Sequence, residues 1–241
     1  MNIRLLVRNL TNSLVHLLPR AGWIHLLKSL AAQPKLQDRL KFHVMPYRYD
    51  SPIPRADELD LAKLRQPRLL PGVRFDEERI QRRLDDLQPY AEEFGSRPLE
   101  RLPDAEFWFR NHSYEDLDAI TLYSMIRHVK PRRIIEVGCG HSSRVISIAA
   151  RRNATDGSPA ECSFIEPYPS ELLKSFALAG PLIEKRIEHV PLSFFQELQA
   201  GDVLFIDTSH VVKAQNDCCY ELLTLLPSLP AGVYVHVHDI F

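Results

Sequence analysis

The chain has 241 residues, is 45% apolar and sets thirty basic against thirty-one acidic side chains. That is enough apolar material for one sizeable core, and it leaves no global field of the kind that marks a nucleic-acid binder. The four cysteines, Cys139, Cys162, Cys218 and Cys219, lack the spacing of a zinc site or a disulfide framework, which predicts a cytoplasmic protein. No uninterrupted apolar run reaches the roughly 18 residues of a membrane span, and charges punctuate the first turns, unlike a cleavable signal peptide.

Residues 1–45 carry Arg4, Arg8, Arg20, Lys28, Lys35, Arg39 and Lys41 against the single acid Asp38, while Leu6, Leu10 and Leu14 recur at helical spacing. A basic amphipathic segment of this kind suits an apolar stripe packed on the main domain or on a second subunit of a homo-oligomer. The alternative is contact with an anionic membrane surface. From Pro46 to Pro103 the prolines at 46, 52, 54, 67, 71, 89, 98 and 103 break the chain into short polar pieces, read as an extended arm. Within it Ile80, Leu84, Leu87 and Ala91 follow a helical period after Asp76 as cap. The aromatic run Phe107, Trp108 and Phe109, with Asn111, His112 and Tyr114, either roofs a ligand or holds the arm to the core. We place an amino-terminal region at 1–112 and a core at 113–241.

A helix is predicted over 115–129, with Ser113 and Asp116 spaced like a capping box, Leu122, Met125, Ile126 and Val129 facing inward, and Pro131 closing it. Beyond it strand and helix alternate: a strand over 134–137, a helix over 142–152, a strand over 162–166 and a helix over 170–179 stopped by Gly180. A strand over 187–190, a short helix near 194–198, a strand over 203–206, a helix over 214–226 and a strand over 233–237 follow. Five short apolar strands separated by helices predict an α/β fold with a doubly wound, mostly parallel sheet. Right-handed crossovers then put every strand's carboxyl end on one edge. That edge collects Glu136 and the Gly138-Cys139-Gly140 turn, Glu166, Asp207 and His210, and His238 and Asp239.

A dinucleotide fingerprint needs a third glycine where this chain has Ser143, and Glu136 would face the pyrophosphate. A nicotinamide-dependent oxidoreductase is therefore the weaker reading. The order Glu136-x-Gly138-x-Gly140-x-Ser142-Ser143, with Glu166 after the second strand, resembles class I S-adenosylmethionine-dependent methyltransferases over residues 113–241. The resemblance implies that Gly138 and Gly140 form the cofactor turn, that Glu136 and Ser142 reach the methionine end of S-adenosylmethionine, and that Glu166 takes the ribose diol. A carboxylate-lined site also suits a cationic sulfonium.

Asp207, after strand four, and His238-Asp239, after strand five, are similar to the metal-binding places of catechol-type and cephalosporin-biosynthesis-like O-methyltransferases, with His238 standing where the latter have an acid. The resemblance implies O-methylation of a small-molecule or glycan acceptor, with a divalent metal such as magnesium held by Asp207, His238 and Asp239. Oxygen ligands suit magnesium, whereas an imidazole equally suits iron, manganese or zinc. Without a metal, Asp207 orients the loop or cofactor and His210 serves as general base, its ordinary pKa near ~6.5 suiting a hydroxyl proton. His236, on the same strand face as His238, reads as a core histidine. The family core continues past strand five into a helix and an antiparallel strand pair, whereas here Asp239 is followed only by Ile240 and Phe241. The expectation is a carboxyl-terminally short core: a fragment, a core whose edge another subunit covers, or a catalytically silent binding module.

Overall fold

The computed structural model describes residues 19–42, 44–45, 59–60, 62, 65–66, 75–103 and 105–239. The stripe of Leu6, Leu10 and Leu14 and most of the proline-broken stretch 46–74 lie outside them. Two compact units emerge, Met1–Val73 and Arg74–Phe241. In the first, α1 (Arg20–Ala31) and α2 (Pro34–Leu40) form a hairpin. Its clasp is the buried Gln37, whose Nε2 donates to the carbonyls of Leu30 and Ala31 while its Oε1 accepts the Val44 N–H.

The second unit takes in more chain than the boundary at 112/113 would give it. The helix expected in the arm is α3 (Glu77–Gly95), capped by the Asp76 carboxylate accepting Arg79 N–H, and it packs along α4 (Asp116–Val129). Phe94 of α3 stacks on Tyr123 of α4 at 4.4 Å and meets Phe107 and Phe109, all buried in one cluster. Phe107, Phe109 and Tyr114 of the aromatic run therefore hold this segment to the core. Arg127 of α4 is buried and joins three helices: it donates to Glu93 of α3 and to Asn153 and Asp156 at the end of α5 (His141–Thr155), the last at 2.7 Å.

The sheet comprises β1 (Arg133–Val137), β2 (Glu161–Ile165), β3 (Leu182–Ile183), β4 (Val203–Ile206) and β5 (Tyr234–Val237) in the order β3-β2-β1-β4-β5, every neighbouring pair parallel. The α/β, Rossmann-like fold expected from the strand–helix alternation is thus present. Alternate residues serve opposite faces: Ile134, Phe164 and Phe205 pack under α3, α4 and α5, while Ile135, Val137, Ile165, Leu204 and Ile206 bury Phe195, Leu198 and Leu225 on the other side.

The differences from the expected elements have local causes. Residues 187–190 are not a strand: Ile187 and Val190 are buried, but they lie three apart on the single turn Ile187–His189 that leads to Val190, and the third strand is Leu182–Ile183. The helix expected over 170–179 is only α6 (Glu171–Lys174), capped by Ser170. Short helix α7 covers Leu192–Gln196. The helix expected over 214–226 begins later, at α8 (Asp217–Tyr220) after the Asn216 cap, widens into a π-turn over Glu221–Leu225 and ends as α9 (Leu226–Ser228). No Ser113–Asp116 box forms. Instead, Asn111 Oδ1 accepts the N–H groups of Ser113 and Tyr114 at 3.0 and 2.7 Å, and α4 starts after Glu115.

Arg127→Ala should cost on the order of 3 kcal/mol, because Asn153, Glu93 and Asp156 lose a common buried cation. Urea unfolding followed by far-ultraviolet circular dichroism measures it, and a loss under about 0.5 kcal/mol would show that the three helices do not depend on this junction.

Candidate cofactor and acceptor site

The carboxyl ends of β1, β2 and β4 are joined by backbone. Gly138 N–H donates to the Ile165 carbonyl at 2.9 Å, and Asp207 N–H donates to the Val137 carbonyl at 2.8 Å. Gly138 has φ +80°, and a Cβ there would lie 1.9 Å from the Asp207 carbonyl oxygen. This glycine is demanded by the strand-four loop. Gly140 is the opposite case: a Cβ on it would meet nothing within 4 Å. It is the glycine that keeps room for a ligand. Ser143, standing where a dinucleotide site has its third glycine, accepts the Gly140 N–H on its buried Oγ at 3.1 Å and so fixes the turn from within.

Glu136 is fully buried at the end of β1. Its Oε1 accepts the Ser142 hydroxyl at 2.6 Å, and its Oε2 has no partner. Burial pushes its pKa up to about 8, so the carboxyl is largely protonated at neutral pH. Glu166, which follows β2, accepts the N–H groups of Tyr168 at 2.8 Å and Cys139 at 3.3 Å, and so joins its own loop to the glycine turn.

Two cavities meet at these residues. The smaller, about 120 Å³, is bounded by Ser113, Tyr114, Gly140, His141 and Ser142; the larger, about 420 Å³, by Pro167, Tyr168, Arg186, Glu188, Lys213 and Asn216 among others. Gly138, Glu166 and Asp207 border both. The two cavities therefore adjoin, with a small end at the glycine turn and a roomier end beyond Glu166. An unpartnered buried carboxyl oxygen, an open flank at Gly140 and a groove of this form fit a cofactor with a cationic end. All five residues expected at the cofactor, Glu136, Gly138, Gly140, Ser142 and Glu166, cluster here, but Gly138 serves packing first.

The loops after β4 and β5 bring the other expected residues together. His210 Nε2 lies 3.3 Å from Asp207 Oδ1 and 3.7 Å from Asp239 Oδ2; His238 Nδ1 lies 3.3 Å from Asp207 Oδ1 and 3.6 Å from Asp239 Oδ1. Asp207, His238 and Asp239 each present a ligand atom within 4.8 Å of the others, a spacing that fits one divalent cation. His210 and Asp239 have φ of 58° and 54°, left-handed conformations that non-glycine residues hold only under surrounding constraint. Asn216 supplies part of it, its Nδ2 donating to the Val211 carbonyl and the Ser209 hydroxyl. His236 packs on Phe205 at 4.8 Å and burial holds its pKa down, but it is half-buried on the edge strand β5 and lies outside both core clusters, so it is not the core histidine expected.

Sequence reasoning did not pick out Asp118, on the first turn of α4, whose Oδ2 lies 3.6 Å from His238 Nε2. It also passed over His141, which borders the small cavity. Asp118 carried no signal beyond an acid near a helix start, and His141 sat inside a motif defined by its glycines.

Gly138→Ala should cost at least about 3 kcal/mol, from steric overlap and a left-handed backbone. Gly140→Ala should change stability by under about 0.5 kcal/mol yet narrow the cavity. Thermal and urea unfolding of both variants test the contrast, which equal losses would refute. Because folding raises the Glu136 pKa from 4.5 to about 8, stability is fully present below pH 4.5 and falls as pH rises through about 8, the unfolded chain having shed its proton first. Glu136→Gln should remove that slope, gaining on wild type by up to roughly 1.4 kcal/mol per pH unit across the window. Parallel melting curves at pH 5 and 8 would contradict it.

Residues 135–240 match a family described as a methyltransferase domain. An uncharacterised protein of Archaeoglobus fulgidus is 28% identical over 164 residues, 64% of this chain and 73% of the archaeal protein. A structure from Plasmodium falciparum, described as a candidate protein-L-isoaspartate O-methyltransferase in complex with S-adenosyl-L-homocysteine, aligns over 69% of this chain and 79% of its own at 12% identity and a TM-score of 0.34. Over residues 135–240 the chain is thus similar to methyltransferase domains, and its β3-β2-β1-β4-β5 sheet with a glycine turn after β1 is α/β and Rossmann-like.

Proposed function

We propose that this chain binds S-adenosylmethionine in the groove formed by the two adjoining cavities and transfers its methyl group to a hydroxyl of a small molecule or sugar. The observation that carries the reading is that Gly138, Glu166 and Asp207 border both cavities, so one elongated ligand can pass from the glycine turn, across Glu166, into the larger cavity. The bound cofactor would supply an electrophilic methyl group on a sulfonium. Glu136 and Ser142 would face its methionine end and Glu166 its ribose, releasing the Tyr168 or Cys139 N–H it holds. On this reading the chain contributes mainly alignment of acceptor and methyl group, a term worth on the order of 7 to 11 kcal/mol at most.

His210 would take the hydroxyl proton, with Asp207 beside Nε2 setting the ring's tautomer and leaving Nδ1 as base. A second reading is favoured by the spacing of Asp207, His238 and Asp239: a divalent cation held there would bind the acceptor oxygen and lower the pKa of its proton. Two further classes remain as outcomes of the test. A catalytically silent module would bind S-adenosylmethionine without transfer, and an oxidoreductase would bind a nicotinamide dinucleotide instead. Among the described residues no helix is long and apolar enough to cross a membrane.

Calorimetric titration should give saturable binding of S-adenosylmethionine and none of NAD. Glu166→Ala should weaken that binding about tenfold or more, and unchanged affinity would remove Glu166 from the site. Asp207→Ala should abolish transfer while sparing cofactor affinity, and a loss of affinity would assign Asp207 to the cofactor site instead. His210→Ala should slow transfer about 10²- to 10⁴-fold if His210 is the base. Loss of activity on chelation, restored by manganese or magnesium, would move the assignment to the cation.

A further inference from the structure

The hairpin of the first unit carries exposed apolar side chains that have no part in the groove. At 100° per residue, Trp23, Ile24, Leu26, Leu27, Leu30 and Ala31 of α1 fall in one arc of roughly 160°, while His25, Lys28 and Ser29 take the opposite side. Ile24, Leu26 and Leu27 are 44 to 52% exposed, and Leu40, Phe42 and Met45, at the end of α2 and beyond it, are 54 to 60% exposed. Large apolar side chains gathered in this way on one small element mark a surface that meets something else.

The same hairpin is cationic. Lys28, Lys35, Arg39 and Lys41 are all exposed, and Asp38 is the one acid between residues 21 and 42. Among the described residues none of these four cations is in an ion pair. On α2 Lys35 and Arg39 stand one turn apart, beside Leu36 and Leu40, which are also one turn apart. The Gln37 clasp ties α2 to the end of α1, so the apolar and the cationic groups belong to one body.

We infer that this hairpin docks on an anionic lipid surface, with α1 lying along the bilayer plane, its apolar arc in the acyl boundary and the lysines and Arg39 reaching headgroup phosphates. A second copy or a protein groove would match the apolar arc alone, and a nucleic acid the charge alone. A bilayer containing acidic lipid takes both. Lysine and arginine suit that boundary, because their stems lie along apolar surface while their heads stay at the phosphates. With twelve residues against the roughly 20 of a span, α1 lies on the bilayer and does not cross it. The docking surface belongs to the first unit and is independent of the cofactor reading, which concerns the second.

The test is flotation of the full chain with phosphatidylcholine vesicles made with and without phosphatidylglycerol. Partition onto the anionic vesicles should exceed that onto the neutral ones by at least about tenfold and fall as salt is raised. Lys28→Glu and Lys35→Glu should each lower it by about fivefold or more, and Leu27→Ser by several-fold through lost apolar burial. These side chains are exposed, so the variants should melt as wild type does. The chain has two tryptophans, and Trp108 is buried in the second unit, so a blue shift of emission on adding anionic vesicles reports Trp23 entering the boundary. Equal partition onto both vesicle types, partition onto neither, or charge variants that bind as wild type would overturn the inference. So would a wild-type dimer that ignores vesicles and that Leu27→Ser dissociates, which would give the apolar arc to a second copy. A Leu27→Ser variant that melts lower, with no vesicle binding by wild type, would give it to the rest of the chain and overturn the inference equally.

Discussion

The close approach of Gly138 to the Asp207 backbone is the constraint on which the rest of the site depends. A side chain at 138 would occupy the position of the Asp207 carbonyl, so the chain can leave β1 only through a residue without one. That approach and the two backbone hydrogen bonds from Gly138 and Asp207 draw the ends of β1, β2 and β4 together. Glu136, Glu166 and Asp207 are far apart in sequence, yet they converge because those three strand ends cannot separate. The groove and its acidic lining follow from these backbone contacts.

That convergence has an electrostatic consequence. Glu136 is sealed from water with one oxygen bonded by Ser142 and the other unpaired. A buried carboxyl favours its neutral form until a cation arrives, and then its ionised form. A pyrophosphate beside it would instead meet a site that penalises added negative charge. On the cofactor reading proposed above, discrimination against dinucleotides would lie in burial as much as in the missing third glycine, because an exposed glutamate at this position would be screened by solvent. Ser143 completes the distinction by turning its hydroxyl back to Gly140 and closing the turn on itself.

Much of this was legible in the sequence, and the reasons are physical. Strands β1, β2, β4 and β5 are runs of apolar residues long enough to show a pattern, and acids at their carboxyl ends stand out against them. Leu182–Ile183 is two residues long and carries no pattern, so the apolar pair Ile187 and Val190 took its place in the reading, though their separation of three is that of a single tight turn. Likewise the helix expected over 214–226 gave no sign of its π-turn, because widening at Glu221–Leu225 depends on what that helix packs against rather than on propensity. Gly138 and Gly140 look identical in sequence. Only coordinates separate the one that backbone packing requires from the one that leaves space.

The segment before the sheet illustrates a further limit. Composition divides the chain where prolines give way to regular elements, at about residue 112, but packing divides it at Val73. Phe94, Phe107, Phe109 and Tyr123 bind the intervening stretch into the core, and Asn111 holds the turn that delivers Tyr114 to the cavity and Asp118 to His238. The strand-end residues alone would make a groove open on that side. Ser113 and Tyr114 border it there, and the ring of Tyr114 packs on His238 at 4.9 Å while its hydroxyl stays unpaired. A merely structural aromatic would gain nothing from that hydroxyl and would bear the cost of burying it, so packing alone does not account for a tyrosine at this position.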